Sequence, residues 1–161
     1  MKPLVVYYSH SGNTRGVAQA LAGLTGAGLL ELQPARPYPA AYNAVVEQAK
    51  REIQQGFLPE LQPLPVRAAG YGPIFVGTPN WWSTMAPPVA AFLRENDLSG
   101  KRVLPFCTHG GGGIAHIGRD IERACPNSQV GAPFDTYGSG GGTLVQKLRA
   151  WLESQGISIQ E

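Results

Sequence analysis

The sequence predicts an α/β fold, a three-layer αβα sandwich built around a five-stranded parallel sheet. Strand-like and helical patterns alternate five times along the chain, which is typical of such a sheet with helices on both faces. The first strand, residues 4–8, is continuously apolar, as expected for a strand that is covered on both faces. The length of 161 residues suits one domain, so we assign residues 1–161 to a single unit.

The first half of the chain predicts two strands and two helices. Residues 4–8 form a β-branched and aromatic strand, and glycines 26 and 28 separate the first helix from a second strand at residues 29–32. The first helix has apolar residues at i, i+3, i+4 and i+7, namely Val17, Ala20, Leu21 and Leu24. Residues 41–55 form a second amphipathic helix, with an apolar face made of Tyr42, Val45, Val46, Ala49 and Ile53.

The second half predicts three more strand–helix pairs. The third strand covers residues 71–77, and Pro87 and Pro88 open a helix, since proline is tolerated in a first turn. The fourth strand covers residues 101–107, and a weak fifth strand lies within residues 129–134. Two further helices are marked by apolar positions, Ile114, Ile117, Ile121 and Cys125 in one and Leu144, Val145, Leu148, Trp151 and Leu152 in the other.

Composition and charge exclude several classes of protein. Charged residues make up 15% of the chain and the net charge is +2, without a basic run, so nucleic acid is not an expected partner. No apolar stretch approaches the roughly 18 residues that span a bilayer, and the N-terminus lacks a signal-peptide pattern. Cys107 and Cys125 are expected to be small buried hydrophobes. We therefore expect a cytoplasmic protein without disulfides, metal or membrane association.

Polar residues and glycine follow the first strand directly. This loop consists of Ser9, His10, Ser11, Gly12, Asn13 and Thr14. Its backbone amides at the mouth of a helix favour an anion, and Gly12 permits a close approach, so a phosphate is the expected ligand. Arg15 could add a charge to this site. The alternative is an ordinary helix N-cap, and the absence of a Gly-Lys-Ser/Thr sequence excludes a P-loop.

A second loop follows the third strand and contains Thr78, Pro79, Asn80, Trp81 and Trp82. Adjacent side chains on extended backbone point to opposite faces, so the two indoles cannot both enter one core. A tryptophan in a ligand crevice favours stacking on a flat heteroaromatic ring, with Asn80 hydrogen-bonded to the edge of that ring. The alternative is one core anchor and one surface aromatic residue.

A third loop follows the fourth strand and contains Thr108, His109, Gly110, Gly111 and Gly113. Glycines allow bare backbone to approach a ligand closely. His109 either lies near that ligand or is a solvent-facing loop residue, and the sequence favours neither. In open α/β sheets the ligand lies at the carboxyl ends of the strands, so the three loops are expected to meet.

The three loops together resemble those of the flavodoxin family. The family's Ser/Thr-x-Ser/Thr-Gly-x-Thr phosphate loop is matched by Ser9-x-Ser11-Gly12-Asn13-Thr14 after the first strand. Pro79-x-Trp81-Trp82 and Thr108-x-Gly110-Gly111 match short bacterial members of the family. The resemblance implies strand order 2-1-3-4-5 and non-covalently bound FMN, with its phosphate on the first loop, an indole on the flavin ring and the third loop at the ring edge.

The sequence departs from the family in two ways. The chain is slightly basic, whereas flavodoxins that donate electrons to basic partners are generally acidic. The family's turn beside the flavin often contains glycine, and this chain has none between Gly77 and Met85, so Asn80 is the expected residue of unusual backbone conformation.

Three functions remain open from the sequence. The first is an FMN electron carrier, a monomer or weak homodimer that exchanges electrons with a redox partner protein or an NAD(P)H-linked reductase. The second is an FMN enzyme that takes hydride from NAD(P)H and reduces a quinone or another small acceptor, with residues 36–65 covering the substrate. The third is a phosphate- or nucleotide-binding module without flavin.

Overall fold

A computed structural model describes residues 1–160 of the chain. Its strands are β1 (Leu4–Tyr7), β2 (Gly28–Glu31), β3 (Ile74–Trp81), β4 (Thr84–Met85), β5 (Arg102–His109), β6 (Gln129–Val130) and β7 (Phe134–Tyr137). Its helices are α1 (Asn13–Thr25), α2 (Tyr42–Gln55), α3 (Pro87–Glu95), α4 (Ile117–Ala124) and α5 (Leu144–Ser154). Two short 3-10 helices lie at Ala68–Gly70 and Gly141–Thr143.

The strands form one mainly parallel sheet in the order β2-β1-β3-β5-β6, with β7 also paired to β5. The predicted three-layer α/β architecture and the strand order are confirmed. β6 pairs with the start of β5 and β7 pairs with its end, so the two share the fifth position of the sheet. Among the strands of residues 1–160, only β4 pairs in the antiparallel direction, and it forms a hairpin with the end of β3.

Alternating side chains of the sheet fill two separate cores. Leu4 and Val6 of β1 pack into one core with residues of α2, α3 and α4, whereas Val5 and Tyr7 pack into the other with residues of α1 and α5. This alternation explains why β1 is apolar at every position, since both faces of the strand are covered. The two cores hold the carboxyl ends of the central strands at one edge of the molecule.

Two predicted strands are longer at that edge than their apolar runs indicate. β3 extends to Trp81 and β5 to His109, and their parallel pairing continues through Thr78 opposite Cys107 and Pro79 opposite Thr108. The predictions ended at residues 77 and 107 because polar residues replace apolar ones there, although the ladder does not stop. Part of the second loop is therefore strand, followed by the β3–β4 hairpin.

Other boundaries shift less. The predicted fifth strand at residues 129–134 is divided into β6 and β7, separated by residues 131–133, which include a glycine and a proline. α4 begins at Ile117, and Ile114 packs against the core from the turns before it. No helix among residues 1–160 has the length and apolarity needed to cross a bilayer.

Candidate functional site

A cavity of about 680 Å³ lies at the carboxyl ends of β1, β3 and β5 and is open to solvent. The first loop contributes His10, Ser11, Asn13 and Thr14 to its wall, and the third contributes Thr108, His109 and Gly110. The end of β3 and its hairpin contribute Pro79, Asn80, Trp81 and Trp82. The fold thus brings the three predicted loops together around one space, as the strand-end rule predicts.

Three residues of the first loop that line this cavity have unpaired backbone amides within residues 1–160. Gly12 has φ of 98° and forms the left-handed N-cap of α1. The Ser9 hydroxyl accepts hydrogen bonds from the amides of Gly12 and Arg15, at 3.1 and 3.2 Å. Within residues 1–160, the amides of Ser11, Asn13 and Thr14 donate to no protein acceptor. These N–H groups at a helix N-terminus form a site suited to an anion.

The side chain of Arg15 forms an ion pair with Glu31 of β2. Its guanidinium donates to both carboxylate oxygens of Glu31, at 2.9 and 2.7 Å. The Tyr7 hydroxyl donates to the same carboxylate at 2.8 Å. Hydrogen bonding from Arg15 is the main cause that lowers the pKa of Glu31, and burial raises the pKa of Tyr7 to about 12. Nη1 of Arg15 takes no part in this pair, and a Cβ built at Gly12 would lie 3.8 Å from it, so the suggestion that Arg15 adds a charge beside the anion site stays a prediction.

The two adjacent tryptophans have different environments. Trp81 is half-buried among the rings of Tyr8, Tyr38 and His10, with edge-on contacts at centroid distances of 5.5, 5.1 and 6.0 Å. Trp82 is 48% exposed, and its indole N–H donates to the Val46 carbonyl of α2 at 3.0 Å. Both rings line the cavity that Ser11 also lines. Only Trp82 retains a large exposed surface that a planar ligand could cover.

The hairpin that carries Trp82 has an unusual backbone. Trp82 and Ser83 have φ of 55° and 70°, so both central residues of this two-residue turn are left-handed. Such a turn normally selects glycine or asparagine, and other residues raise its energy by about 1–2 kcal/mol each. The expectation that Asn80 takes the unusual conformation is wrong, because Asn80 lies in β3.

Asn80 stabilises the turn through its side chain. Its Oδ1 accepts a hydrogen bond from the Ser83 amide at 2.9 Å, and its Nδ2 donates to the Gly113 carbonyl at 2.8 Å. The Ser83 carbonyl also accepts from the His116 amide at 2.9 Å. Asn80 therefore joins the second loop to the third, and both polar atoms of its amide are already used within the protein.

His109 organises the start of the third loop. Its Nε2 lies 2.9 Å from Oδ2 of Asp135 in β7, and its Nδ1 accepts a hydrogen bond from the Gly111 amide at 3.0 Å. The ring contacts Tyr137 edge-on, at a centroid distance of 6.2 Å. The sequence left open whether His109 lies near the ligand or faces solvent. In the structure His109 lines the cavity, its ring is held by protein contacts, and its side chain is only 11% exposed.

Five residues predicted for the site do not line the cavity, namely Ser9, Gly12, Thr78, Gly111 and Gly113. Thr78 is fully buried, and its hydroxyl accepts from the Ala86 amide and donates to the Pro79 carbonyl. The Gly113 carbonyl accepts from Asn80 and weakly from the Cys107 thiol. These residues shape the loops that line the cavity.

The cysteines behave as small buried hydrophobes. Both are free and buried. Burial raises the pKa of the Cys107 thiol to about 12, and repulsion from Asp135 adds to this effect. Neither cysteine lines the cavity.

Six cavity residues lie outside the three predicted loops. α2 contributes Tyr42, Val45, Val46 and Ala49, and the end of β7 contributes Tyr137 and Gly138. The segment 36–65, with Tyr38 and Tyr42, was expected to cover a substrate pocket; Tyr42 lines the cavity, whereas Tyr38 is buried. Tyr137 follows a weak strand pattern and is 70% exposed, which is unusual for a large ring.

The comparisons with known proteins agree with this geometry. The sequence model of the flavodoxin family matches residues 2–154. This chain belongs to the flavodoxin family. No curated protein matches it. The match confirms the resemblance that the three loops indicated and extends it over nearly the whole chain.

Three solved structures illustrate the likeness. A protein of Bacteroides eggerthii DSM 20697, assigned as a flavoprotein, is 26% identical with a TM-score of 0.85, covering 98% of this chain and 99% of that chain. A second, from Bacteroides uniformis ATCC 8492, is 27% identical with a TM-score of 0.82, covering 92% and 97%. A flavoprotein of Lactobacillus acidophilus NCFM, in complex with FMN, is 23% identical with a TM-score of 0.75, covering 83% and 92%.

Proposed function

We propose that this flavodoxin binds FMN in the cavity and transfers electrons between a reductase and a redox partner protein. One observation carries the proposal: unpaired amides at the N-terminus of α1 and a half-exposed indole, Trp82, line the same cavity. The amides suit a phosphate and the indole suits a planar heteroaromatic ring. The FMN expected from the sequence agrees with the family and with the FMN complex of the Lactobacillus protein.

The residues of the chain fit FMN at both ends of the cavity. Ser11, Asn13 and Thr14 would hold the phosphate through their amides, and Arg15, which is paired with Glu31, keeps Nη1 beside Gly12 of the same loop. Trp82 would cover one face of the ring, and the backbone around Gly110 would lie at its edge. When bound, FMN supplies reversible uptake of one or two electrons. The role of the protein is to bind and orient the ring and to shield it partly from water.

A second candidate is an NAD(P)H-dependent oxidoreductase that reduces a quinone or another small acceptor. The apolar side of α2 favours it, because Tyr42, Val46 and Ala49 extend the cavity wall beyond the three loops. Tyr42 is 77% exposed at the start of that helix and could cover a bound substrate. This surface is the part of the cavity that a pure electron carrier would not require.

Absorption spectroscopy tests the proposal directly. The purified protein is expected to show flavin bands, or to acquire them after addition of FMN and removal of excess by gel filtration. A colourless protein that takes up no FMN would contradict both redox functions and favour a phosphate-binding module. Anaerobic NADPH then separates the two redox candidates. Bleaching only after a catalytic amount of an added NADPH-dependent flavodoxin reductase supports the carrier, whereas rapid bleaching by NADPH alone supports the oxidoreductase.

The remaining expectations are proposals that accompany this function. We propose a cytoplasmic protein, and the two free buried cysteines are consistent with a reducing compartment. A monomer or weak homodimer suits a carrier that must present its cavity to different partners in turn. Sedimentation of the FMN-loaded protein at micromolar concentration tests this state.

A further inference from the structure

The hydrogen bonds around His109 define one protonation state of its ring. The carboxylate of Asp135 can only accept, so His109 Nε2 must carry a hydrogen and donate it across 2.9 Å. The Gly111 amide can only donate, so His109 Nδ1 must be an unprotonated acceptor at 3.0 Å. The contacts together require the neutral Nε2–H tautomer.

The partner of Nδ1 is the residue that follows Gly110, which lines the cavity. Gly111 has φ of 127°, a conformation that side-chain-bearing residues rarely adopt. The loop is fastened at its other end, where the Gly113 carbonyl accepts from Asn80. Gly110, between His109 and Gly111, lines the cavity. The position of the Gly110–Gly111 backbone therefore depends on an acceptor at Nδ1.

We propose that His109 is a positioning residue: as the neutral tautomer held by Asp135, it fixes the glycine loop (residues 110–113) against the flavin, and a proton on Nδ1 releases that loop. The inference rests on the proposed binding of FMN. Protonated Nδ1 becomes a donor and faces the N–H of Gly111, so two donors meet and the hydrogen bond is lost. Proton binding to His109 and flavin binding then oppose each other.

Few charged or titratable groups surround His109 within residues 1–160. Asp135 is its only ion-pair partner within residues 1–160, and no lysine or arginine in that range pairs with the carboxylate. Tyr137 of β7 contacts the ring, and Cys107 of β5, whose thiol stays protonated because burial raises its pKa, lies behind the loop. Across the cavity, His10 is the other titratable imidazole, and its Nε2 lies 2.9 Å from the Pro39 carbonyl.

The test compares the pH dependence of FMN affinity in wild type and His109→Gln. Glutamine offers a donor for Asp135 and an acceptor for Gly111, but it does not titrate. From about pH 8 to about pH 5, where histidines gain a proton, the dissociation constant of wild type should rise about threefold to tenfold more than that of the variant. The FMN phosphate and His10 are present in both cases, so the comparison isolates the contribution of His109. His116→Gln, a surface substitution outside the cavity, should follow wild type.

A second measurement tests the tautomer without flavin. In the ligand-free protein with ¹⁵N-labelled histidine, the His109 ring should show a protonated Nε2 and an unprotonated Nδ1 above about pH 8. Exchange of the Gly111 amide with solvent should accelerate as the ring gains its proton. Parallel FMN-affinity profiles in wild type and His109→Gln would overturn the inference, as would a protonated Nδ1 in the neutral ring. Failure of both proteins to bind FMN at any pH would instead contradict the proposed function, and the ring spectra would still decide the inference.

Discussion

The hydroxyl oxygens of Thr14 and Thr108 lie 2.8 Å apart and are both buried. Thr14 is in the first turn of α1 and Thr108 is near the end of β5, ninety-four residues later in the chain. This contact joins the anion-binding loop directly to the loop that carries His109. A buried polar pair therefore links two of the loops that line the cavity, in addition to the sheet that carries them.

We expect Thr108→Val to destabilise the protein by about 1–3 kcal/mol, because the buried Thr14 hydroxyl loses its protein partner. Thr14→Val should have a similar effect. The double variant should lose less stability than the two single variants lose together. Replacing both hydroxyls by apolar groups of the same shape leaves no polar group without a partner. Urea denaturation of the ligand-free proteins measures all three free energies of unfolding.

Thr143→Val is the matched control for this pair. Thr143 is exposed and its side chain caps no helix, so its replacement should change the free energy of unfolding by less than about 0.5 kcal/mol. Strict additivity of the Thr14 and Thr108 substitutions would show that the contact does not form in solution.

Gly77 lies opposite Phe106 in the sheet and leaves room for that ring. A Cβ at position 77 would overlap three atoms of the Phe106 ring. Gly77→Ala should therefore destabilise the protein by about 1–3 kcal/mol, and part of the loss should be recovered when Phe106→Leu is added. Thermal or urea unfolding provides the measurement.

Gly16→Ala tests the specificity of that effect. Gly16 is within α1, and a Cβ there would have no neighbour within 4 Å. This substitution should stabilise the protein by about 0.5–1 kcal/mol, since alanine is the better helix former. An equal loss of stability in Gly16→Ala and Gly77→Ala would argue against steric overlap as the cause of the effect at Gly77.

The sequence predicted where the site lies better than it predicted the shape of the site. The apolar run of β1 and the polar residues after three strands were sufficient to place Ser11, Trp81 and His109 at one edge of the sheet. Periodicity could not predict the left-handed turn at Trp82 and Ser83, because neither residue type favours that conformation and the stabilising contact with Asn80 is tertiary.

Two other features depended on tertiary structure in the same way. Helical periodicity grouped Val45, Val46 and Ala49 on one face of α2, but it could not show that this face also lines a cavity. β6 has two residues and β7 has four, with Gly131 and Pro133 between them, so the fifth position of the sheet lacked a continuous apolar signal. What joins these strands is their separate pairing with the two halves of β5.

Trp82→Ala should weaken FMN binding about tenfold or more, because stacking of a flat ring on an aromatic side chain contributes about 1–3 kcal/mol. Trp82→Phe should weaken it less, since the ring remains although the hydrogen bond to the Val46 carbonyl is lost. Isothermal titration calorimetry with FMN measures both. Trp151→Phe loses a similar indole hydrogen bond, to the Ala132 carbonyl, far from the cavity, and should bind FMN as wild type does. Unchanged affinity in Trp82→Ala would assign the stacking role elsewhere.

The ion pair between Arg15 and Glu31 should make stability depend on pH in a defined direction. Hydrogen bonds from Arg15 lower the pKa of Glu31 in the folded protein below its ordinary value of 4.5. A lowered pKa stabilises the folded state above the unfolded value, and this contribution is lost as the pH falls through the folded value. The free energy of unfolding of wild type should therefore exceed that of Glu31→Gln by about 1 kcal/mol at neutral pH. The difference is modest because the Arg15 side chain is 42% exposed. The difference should shrink toward zero as the pH falls below about 4, and it should also shrink in about 1 M salt.

Glu47→Gln, at an exposed position of α2 without an ion pair within residues 1–160, should show neither trend. Because the Tyr7 hydroxyl also donates to Glu31, a difference that persists at low pH would assign the stabilisation to that neutral hydrogen bond instead of the charge on Arg15.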